Sequence, residues 1–299
     1  NLSVESENIS GEINFVSSLS DDFRLRQLLE RLELISGNNM GSLGLGSNNL
    51  LFIGCELLLL GSEEGFPLLL IEEPEAHLHP QRQLRLMEFL KKAAEGGDDT
   101  GQPVQVILST HSPNLASRLP LASLILLADK TAFPLAPEYT KLTNNDYSFL
   151  ERFLDVTKAN LFFAHGVIIV EGIAEAILLP IIAKLIGKDL TAYGVSVVNV
   201  GSTGLSRFSK ILQRNNEGSQ HIAIPVACIT DRDIMPDCAP NIQGYTDSPK
   251  RKWRKESDDM ESLQKKIDSK LINDGQNVKT FISNKWTFDF DLAYHGLCH

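Results

Sequence analysis

Two groups of acidic residues carry the strongest chemical signal in this 299-residue sequence. The apolar run Ile224-Pro225-Val226-Ala227-Cys228-Ile229 closes on Thr230-Asp231-Arg232-Asp233, and Val167-Ile168-Ile169-Val170 closes on Glu171-Gly172 with Glu175 four residues on. In an extended segment, residues two apart share a side, so Asp231 and Asp233 are expected to present hard oxygen donors to one cation. Functional groups of open parallel sheets gather beyond the carboxyl ends of strands. Four carboxylates from two such ends would converge on Mg²⁺ or Mn²⁺, which prefer carboxylate oxygen and water, and would repel one another without a cation.

A second pair, Glu72-Glu73, ends the run Leu68-Leu69-Leu70-Ile71 and is followed by Pro74-Glu75-Ala76-His77-Leu78-His79-Pro80. Adjacent carboxylates at a strand end suit an ATPase, in which one orients the nucleotide's metal and the next polarises the attacking water. Alone, the pair reads more readily as a strand ending in solvated acids. His77 and His79 lack a clustered Cys or carboxylate partner and do not read as a metal pair.

The elements needed to position these groups follow from periodicity and breakers. Before the first acidic pair come a leucine stripe over Phe23–Ile35, the Gly- and Asn-rich stretch 41–49 and an apolar segment Leu50–Leu60, read as a loop entering a buried helix. Pro67–Ile71 and Val104–Leu108 read as buried parallel strands flanking a helix over Pro80–Ala94, with Leu121–Leu127 a further candidate strand. A helix over Asn145–Ala159, with Phe149, Leu150, Phe153 and Leu154 on one side, connects to a second region beginning near Asn160. There strands Val167–Val170, Val195–Val200 and Ala223–Thr230 alternate with helices Ala174–Ile186 and Leu205–Gln213. A polar helix over Asp258–Leu271 and a strand over Val278–Ile282 follow. Such alternation predicts an α/β fold with a mostly parallel sheet, right-handed crossovers and flanking helices.

Composition fits a globular chain: 42% hydrophobic and 22% charged residues, with a net charge of -10. That charge excludes a broadly basic coat but not nucleic acid held by a local patch and metal ions. Lys250-Arg251-Lys252-Trp253-Arg254-Lys255 is the one dense basic run, a DNA-backbone contact with a stacking aromatic or a solvated loop. Cys55, Cys228, Cys238 and Cys298 show no paired spacing, and Cys55 and Cys228 sit in apolar runs. Buried free thiols and a cytoplasmic location are therefore expected, with no membrane-spanning stretch.

Taken together, Gly44-Leu45-Gly46-Ser47-Asn48-Asn49, Glu72-Glu73 and Ser109-Thr110-His111-Ser112-Pro113 resemble the C-terminal half of an ABC-type ATPase of the DNA-repair and chromosome-maintenance branch. The resemblance implies a signature loop at Gly44, Gly46 and Ser47, whose glycines and helix N-terminus would face a γ-phosphate. It implies a Walker B metal residue at Glu72, a catalytic glutamate at Glu73, a switch histidine at His111 and an interface segment over Glu75–Pro80. Glu72 departs from the commoner aspartate. No G-x-x-x-x-G-K-[ST] occurs, so ATP would require a phosphate loop outside this sequence, and the chain reads as the C-terminal portion of a longer protein.

Glu171-Gly172, Glu175, the Gly201-Ser202-Thr203-Gly204 turn and Asp231-x-Asp233 resemble the Toprim fold of topoisomerases, primases and certain nucleases. With Phe153–Ala164 and the ATPase half upstream, the order resembles the OLD (overcoming lysogenization defect) family, in which an ABC-type ATPase is fused to a Toprim nuclease. That resemblance implies residues 1–159 as partial ATPase and connector and 160–299 as Toprim domain. It further implies two-metal hydrolysis of DNA phosphodiesters at Glu171, Asp231 and Asp233, with Glu175 completing one site. Asp289, in Trp286-Thr287-Phe288-Asp289-Phe290, matches a second-metal glutamate; the other reading is a polar position of an amphipathic strand. A homodimer, a helicase-like protein partner and roles in DNA repair or phage defence also follow from the resemblance. Gly201–Gly204 either holds a phosphate, assisted by Arg207 or Lys210, or is simply a tight turn. The non-enzymatic alternative is an ATP-gated DNA-binding scaffold whose carboxylates hold structural Mg²⁺.

Overall fold

The computed structural model describes residues 44–61, 65–96, 103–201, 204–216, 218–234 and 260–296. The leucine stripe over Phe23–Ile35, the basic run at 250–255, Ser202-Thr203, Cys238 and Cys298 lie outside them. Two compact units divide between Asn48 and Asn49, and every described strand belongs to the second.

Helix α1 spans Leu45–Gly61, strand β1 Leu68–Glu72, helix α2 Pro80–Glu95 and strand β2 Gln105–Ser109. Parallel pairing of β1 with β2 sets Glu72 opposite Ser109, so the two loops expected to do nucleotide chemistry leave the sheet side by side. Helix α2 starts on Pro80 behind the N-cap His79 and ends on Gly96 at φ 75°, in the left-handed conformation glycine adopts without strain. Leu69, Leu86, Met87, Leu90 and Val104 form one hydrophobic cluster with Ile53 and Leu57. The strands were expected to be buried on both faces. Among the described residues only one face is covered: Leu68, Leu70 and Ile107 are exposed. Likewise α1 is apolar on most sides: Ile53 and Leu57 enter the core, whereas Phe52 and Cys55 are exposed.

A short helix α3 (Pro113–Ala116) leads to a hairpin of β3 (Ile125–Ala128) and β4 (Thr131–Pro134). Thus Leu121–Leu127 is not one strand, but a 3-10 turn over Leu121–Ser123 and the first arm of this hairpin. Asp129 and Lys130, both at positive φ, make the reversal. Helix α4 (Asn144–Phe153) opens with a capping box, Thr143 accepting from Asp146 N–H and Asp146 accepting from Thr143 N–H. It ends before Asp155, six residues short of the expected Ala159, where a 3-10 turn over Lys158–Phe162 takes over.

The remaining elements are β5 (Gly166–Val170), α5 (Ile173–Leu185), β6 (Val195–Asn199), α6 (Leu205–Lys210), β7 (Val226–Thr230), α7 (Met260–Leu271), β8 (Val278–Ile282) and α8 (Phe288–Gly296). The four strands are all parallel, in the order β6-β5-β7-β8. This is the α/β architecture expected. Val167, Ile169, Val198, Val226 and Cys228 join Leu150, Leu161, Phe208 and Ile211 in one core. Hairpin and connector residues Leu121, Phe133, Leu135 and Tyr147 pack into that same core, whereas residues up to Leu115 belong to the other cluster. The Trp286–Leu292 segment is not an amphipathic strand. Thr287 Oγ1 accepts from Phe290 N–H and a helix starts at Phe288, as a threonine N-cap favours.

Candidate metal centre

The order β6-β5-β7-β8 reverses direction between β5 and β7: the chain moves from β5 out to β6, then returns to add β7 on the opposite side. Crevices form at the carboxyl ends of the strands flanking such a reversal. Glu171 leaves β5 there, one residue past Val170, which pairs with Ile229; Asp231 leaves β7 immediately after Thr230. Thr230 Oγ1 donates to Glu171 Oε2 at 2.6 Å and so ties the two strand ends together.

Beyond Thr230 the period of two ends. Asp233 adopts φ 58°, turning the chain, and the two aspartates take different partners. Asp231 Oδ1 accepts from Phe288 N–H at 2.8 Å and Ser283 Oγ at 3.4 Å, which docks the start of α8 on the site. Asp233 Oδ2 faces α7 and accepts from Lys270 Nζ at 2.7 Å. Glu175, in the first turn of α5, is 6% exposed, and its Oε2 is buried with no hydrogen-bond partner. Gly172 makes that placement possible: a Cβ there would stand 2.2 Å from Glu175 Oε2. Asp289 lies exposed in the first turn of α8, and its charge is felt at Glu175.

Burial is the first cause that holds the Glu171, Glu175 and Asp231 carboxyls above their ordinary range. At Glu171 the Thr230 hydrogen bond and the Lys270 charge pull down, while Asp233 and Asp231 push up. At Glu175 the charges of Asp231 and Asp289 add to burial, and backbone N–H groups offset only part of it. At Asp231 the Phe288 N–H pulls down against the charge of Asp233.

Among the described residues, no three acidic, histidine or cysteine side chains already stand as a metal cage, because Asp231 is drawn to α8 and Asp233 to α7. The donor chemistry nevertheless fits Mg²⁺ or Mn²⁺. Every group is a hard oxygen, the carboxylates are crowded, and the buried Glu175 Oε2 lacks the positive partner that a charged oxygen requires. Such a cation would be held by Glu171, Glu175, Asp231 and Asp233.

Two of the nucleotide-type residues meet, Glu73 and His111. Glu73, at φ 44° just past β1, lies 3.2 Å from His111 Nε2, and its N–H donates to Ser109 O at 3.0 Å. Glu72, the last residue of β1, is exposed beside them. Gly44 begins the first turn of α1, where Ser47 and Asn48 N–H both reach Gly44 O, and Gly46 and Ser47 lie within the helix.

Sequence reasoning missed four residues. Glu75 Oε1 accepts from Thr110 Oγ1 at 2.6 Å and His111 N–H at 2.8 Å, pinning the switch loop. Asp291 accepts from the N–H groups of Asn284, Lys285 and Trp286 and shapes the turn before α8. Thr230, quoted only as a strand end, is the bridge. Lys270 lay in a helix read as merely polar. A hydroxyl directly before Asp-x-Asp was a usable signal; Lys270 had none.

Comparison with known proteins accords with this geometry. Residues 162–233 match the family model described as "Overcoming lysogenization defect protein-like, TOPRIM domain", a span holding Glu171, Glu175, Asp231 and Asp233. Residues 41–117 match "AAA domain, putative AbiEii toxin, Type IV TA system", a span holding Gly44, Glu72, Glu73 and His111. Endonuclease GajA of Bacillus cereus is 25% identical over 224 residues, 65% of this chain and 31% of that protein. The OLD nuclease of Thermus scotoductus is 26% identical over 203 residues, covering 65% of this chain and 36% of its own. The Old nuclease of Escherichia phage P2 is 29% identical over 184 residues, 58% and 29% of the two chains. The C-terminal region of the Burkholderia pseudomallei OLD protein is 22% identical over 45% of this chain and 60% of that one, with a TM-score of 0.28. The chain spans about a third of the length of the curated relatives it matches. No helix among the described residues is long and apolar enough to cross a membrane. An AAA-domain match followed by an OLD-like Toprim match in one chain is the order in which this sequence resembles OLD-family proteins.

Proposed function

We propose that this chain supplies the cutting centre of a metal-dependent DNA endonuclease that works in the cytoplasm, and that its first 159 residues couple the centre to ATP. The observation that carries the reading is the Thr230 bridge, which holds Glu171, just past β5, against the end of β7 that leads into Asp231. Acids on adjacent strand ends at a topological reversal, with behind them a buried Glu175 whose Oε2 has no hydrogen-bond partner, form a site whose charge calls for divalent cations. When bound, Mg²⁺ or Mn²⁺ would activate water and stabilise the departing 3′ oxygen of a phosphodiester. Glu171, Asp231 and Asp233 hold the cations, Glu175 completes one position from behind, and Asp289 adds charge at the start of α8. The names of the relatives, nuclease and endonuclease, support the same reaction class.

In the ATPase portion, Glu73 with His111 is arranged to polarise water, Glu72 to orient the nucleotide's metal, and Gly44, Gly46 and Ser47 to face a phosphate from a second copy in a homodimer. The deciding experiment is plasmid cleavage by the full-length protein in Mg²⁺ or Mn²⁺, beside Glu171→Ala and Asp231→Ala. Both variants should fold and lose cleavage by at least about a hundredfold. Full activity in both would remove the assignment and leave the ATP-gated scaffold, with a helicase-like partner doing the work, as the better account.

A further inference from the structure

Lys270, in the last turn of α7, sends its side chain back to the end of β7, where only 18% of it remains exposed. An ammonium has three protons to donate. Here Nζ donates to Asp233 Oδ2 at 2.7 Å, Thr230 Oγ1 at 3.0 Å and the Asp231 carbonyl. These acceptors are a carboxylate, a hydroxyl and a backbone carbonyl, all hard oxygens from three residues of the segment Thr230–Asp233 at the mouth of the crevice. That is the donor chemistry a divalent cation takes. Thr230 spends its own proton on Glu171, so one hydroxyl links Lys270 to the β5 carboxylate. Lys266, one turn earlier on α7, lies 3.9 Å from Asp233 Oδ2 and donates to its carbonyl at 3.4 Å.

We propose that Lys270 is an internal counter-cation of the acidic strand ends: it occupies the oxygen cluster at Thr230, Asp231 and Asp233 until a divalent ion displaces it, and thereby sets the metal affinity. The inference rests on the metal-centre reading above. A positive charge at this position relieves the repulsion among Glu171, Asp231 and Asp233 in the metal-free protein, and the same charge opposes an entering cation. Because Lys270 is carried by α7 rather than the sheet, its release frees the Asp233 carboxylate and the Thr230 and Asp231 oxygens without breaking a strand. It is a positioning residue, not a group that touches substrate.

The test is Mn²⁺ binding to the full-length protein, followed by titration calorimetry and by the loss of the free-ion paramagnetic resonance signal, for the wild type, Lys270→Gln and Lys270→Arg. Lys270→Gln should lower the Mn²⁺ Kd roughly tenfold and Lys270→Arg should leave it near the wild-type value. A second measurement uses unmodified protein: acetylation of Lys270 by an activated ester, followed by peptide mass spectrometry, should accelerate when Mn²⁺ is added. Wild-type binding with an unchanged or raised Kd in Lys270→Gln, or acetylation indifferent to Mn²⁺, overturns the counter-cation and leaves the metal centre standing. Absence of Mn²⁺ binding in both wild type and Lys270→Gln overturns both.

Discussion

Thr230 Oγ1 lies 2.6 Å from Glu171 Oε2 and so joins two residues 59 positions apart in the chain. The threonine is 2% exposed and sits at the last position of β7, and the glutamate is the first residue beyond β5. Loss of the hydroxyl strands a half-buried carboxylate and removes an acceptor of Lys270. Thr230→Val, similar in shape, should therefore cost roughly 1–3 kcal/mol in unfolding free energy. Cleavage should fall at least about tenfold, because Glu171 is freed to rotate. Chemical denaturation and plasmid nicking measure the two effects separately.

Two glycines that look alike in sequence should behave differently. A Cβ on Gly172 meets the flexible end of Glu175, 2.2 Å from Oε2, whereas a Cβ on Gly204 meets backbone, 2.6 Å from Val200 O. Gly172→Ala should keep its melting temperature to within a few degrees yet bind Mn²⁺ about tenfold more weakly, since Glu175 must swing away. Gly204→Ala should lose about 1–3 kcal/mol of stability, because main chain has to shift. Thermal scans paired with Mn²⁺ titration separate the cases.

Glu73 and His111 meet at 3.2 Å on an exposed surface, and the Glu75 carboxylate holds the His111 loop through Thr110 Oγ1 and His111 N–H. Glu73→Gln should abolish ATP turnover in the full-length protein by at least about a hundredfold while nucleotide binding persists. Glu75→Ala should reduce turnover more mildly and lower stability, because it unpins the loop instead of removing the group that polarises water. Phosphate release with a parallel nucleotide-binding assay checks both.

Stability should depend on pH with a definite sign. Glu171, Glu175 and Asp231 are held above their unfolded values, so the fold binds protons more tightly than the unfolded chain there. Their contribution is lost as pH rises through the raised values. Asp146 and Asp155 are held below their unfolded values, the latter at about 2, and their contribution is lost only in stronger acid. Metal-free protein should therefore melt higher near about pH 5 than near about pH 8. Excess Mg²⁺ should reduce or reverse that difference, because cations favour the ionised carboxylates. Melting curves at both pH values, with Mg²⁺ or chelator, give the result.

Much of the site was legible because it depends on local pattern. Apolar runs ending in acid fixed β1, β5 and β7, and with them Glu72, Glu73, Glu171 and Asp231 at strand ends. Alternation of strand and helix implied a parallel sheet, and β8 fell on Val278–Ile282 as expected. Asp233 was misjudged as a same-side partner of Asp231, since the period of two ends with the strand and a left-handed residue follows. Cys55 was expected to be buried, but a helix apolar on most sides gives no indication of which side meets the core.

Sequence by itself determined which segments become strands and which acids stand at their ends, because strand period and glycine placement are properties of neighbouring residues. Only the tertiary structure decided how those acids are neutralised: Thr230 for Glu171, Phe288 N–H for Asp231 and Lys270 for Asp233. Such partners lie 37 to 59 residues away along the chain, and crossover topology, not local periodicity, brings them within hydrogen-bond range.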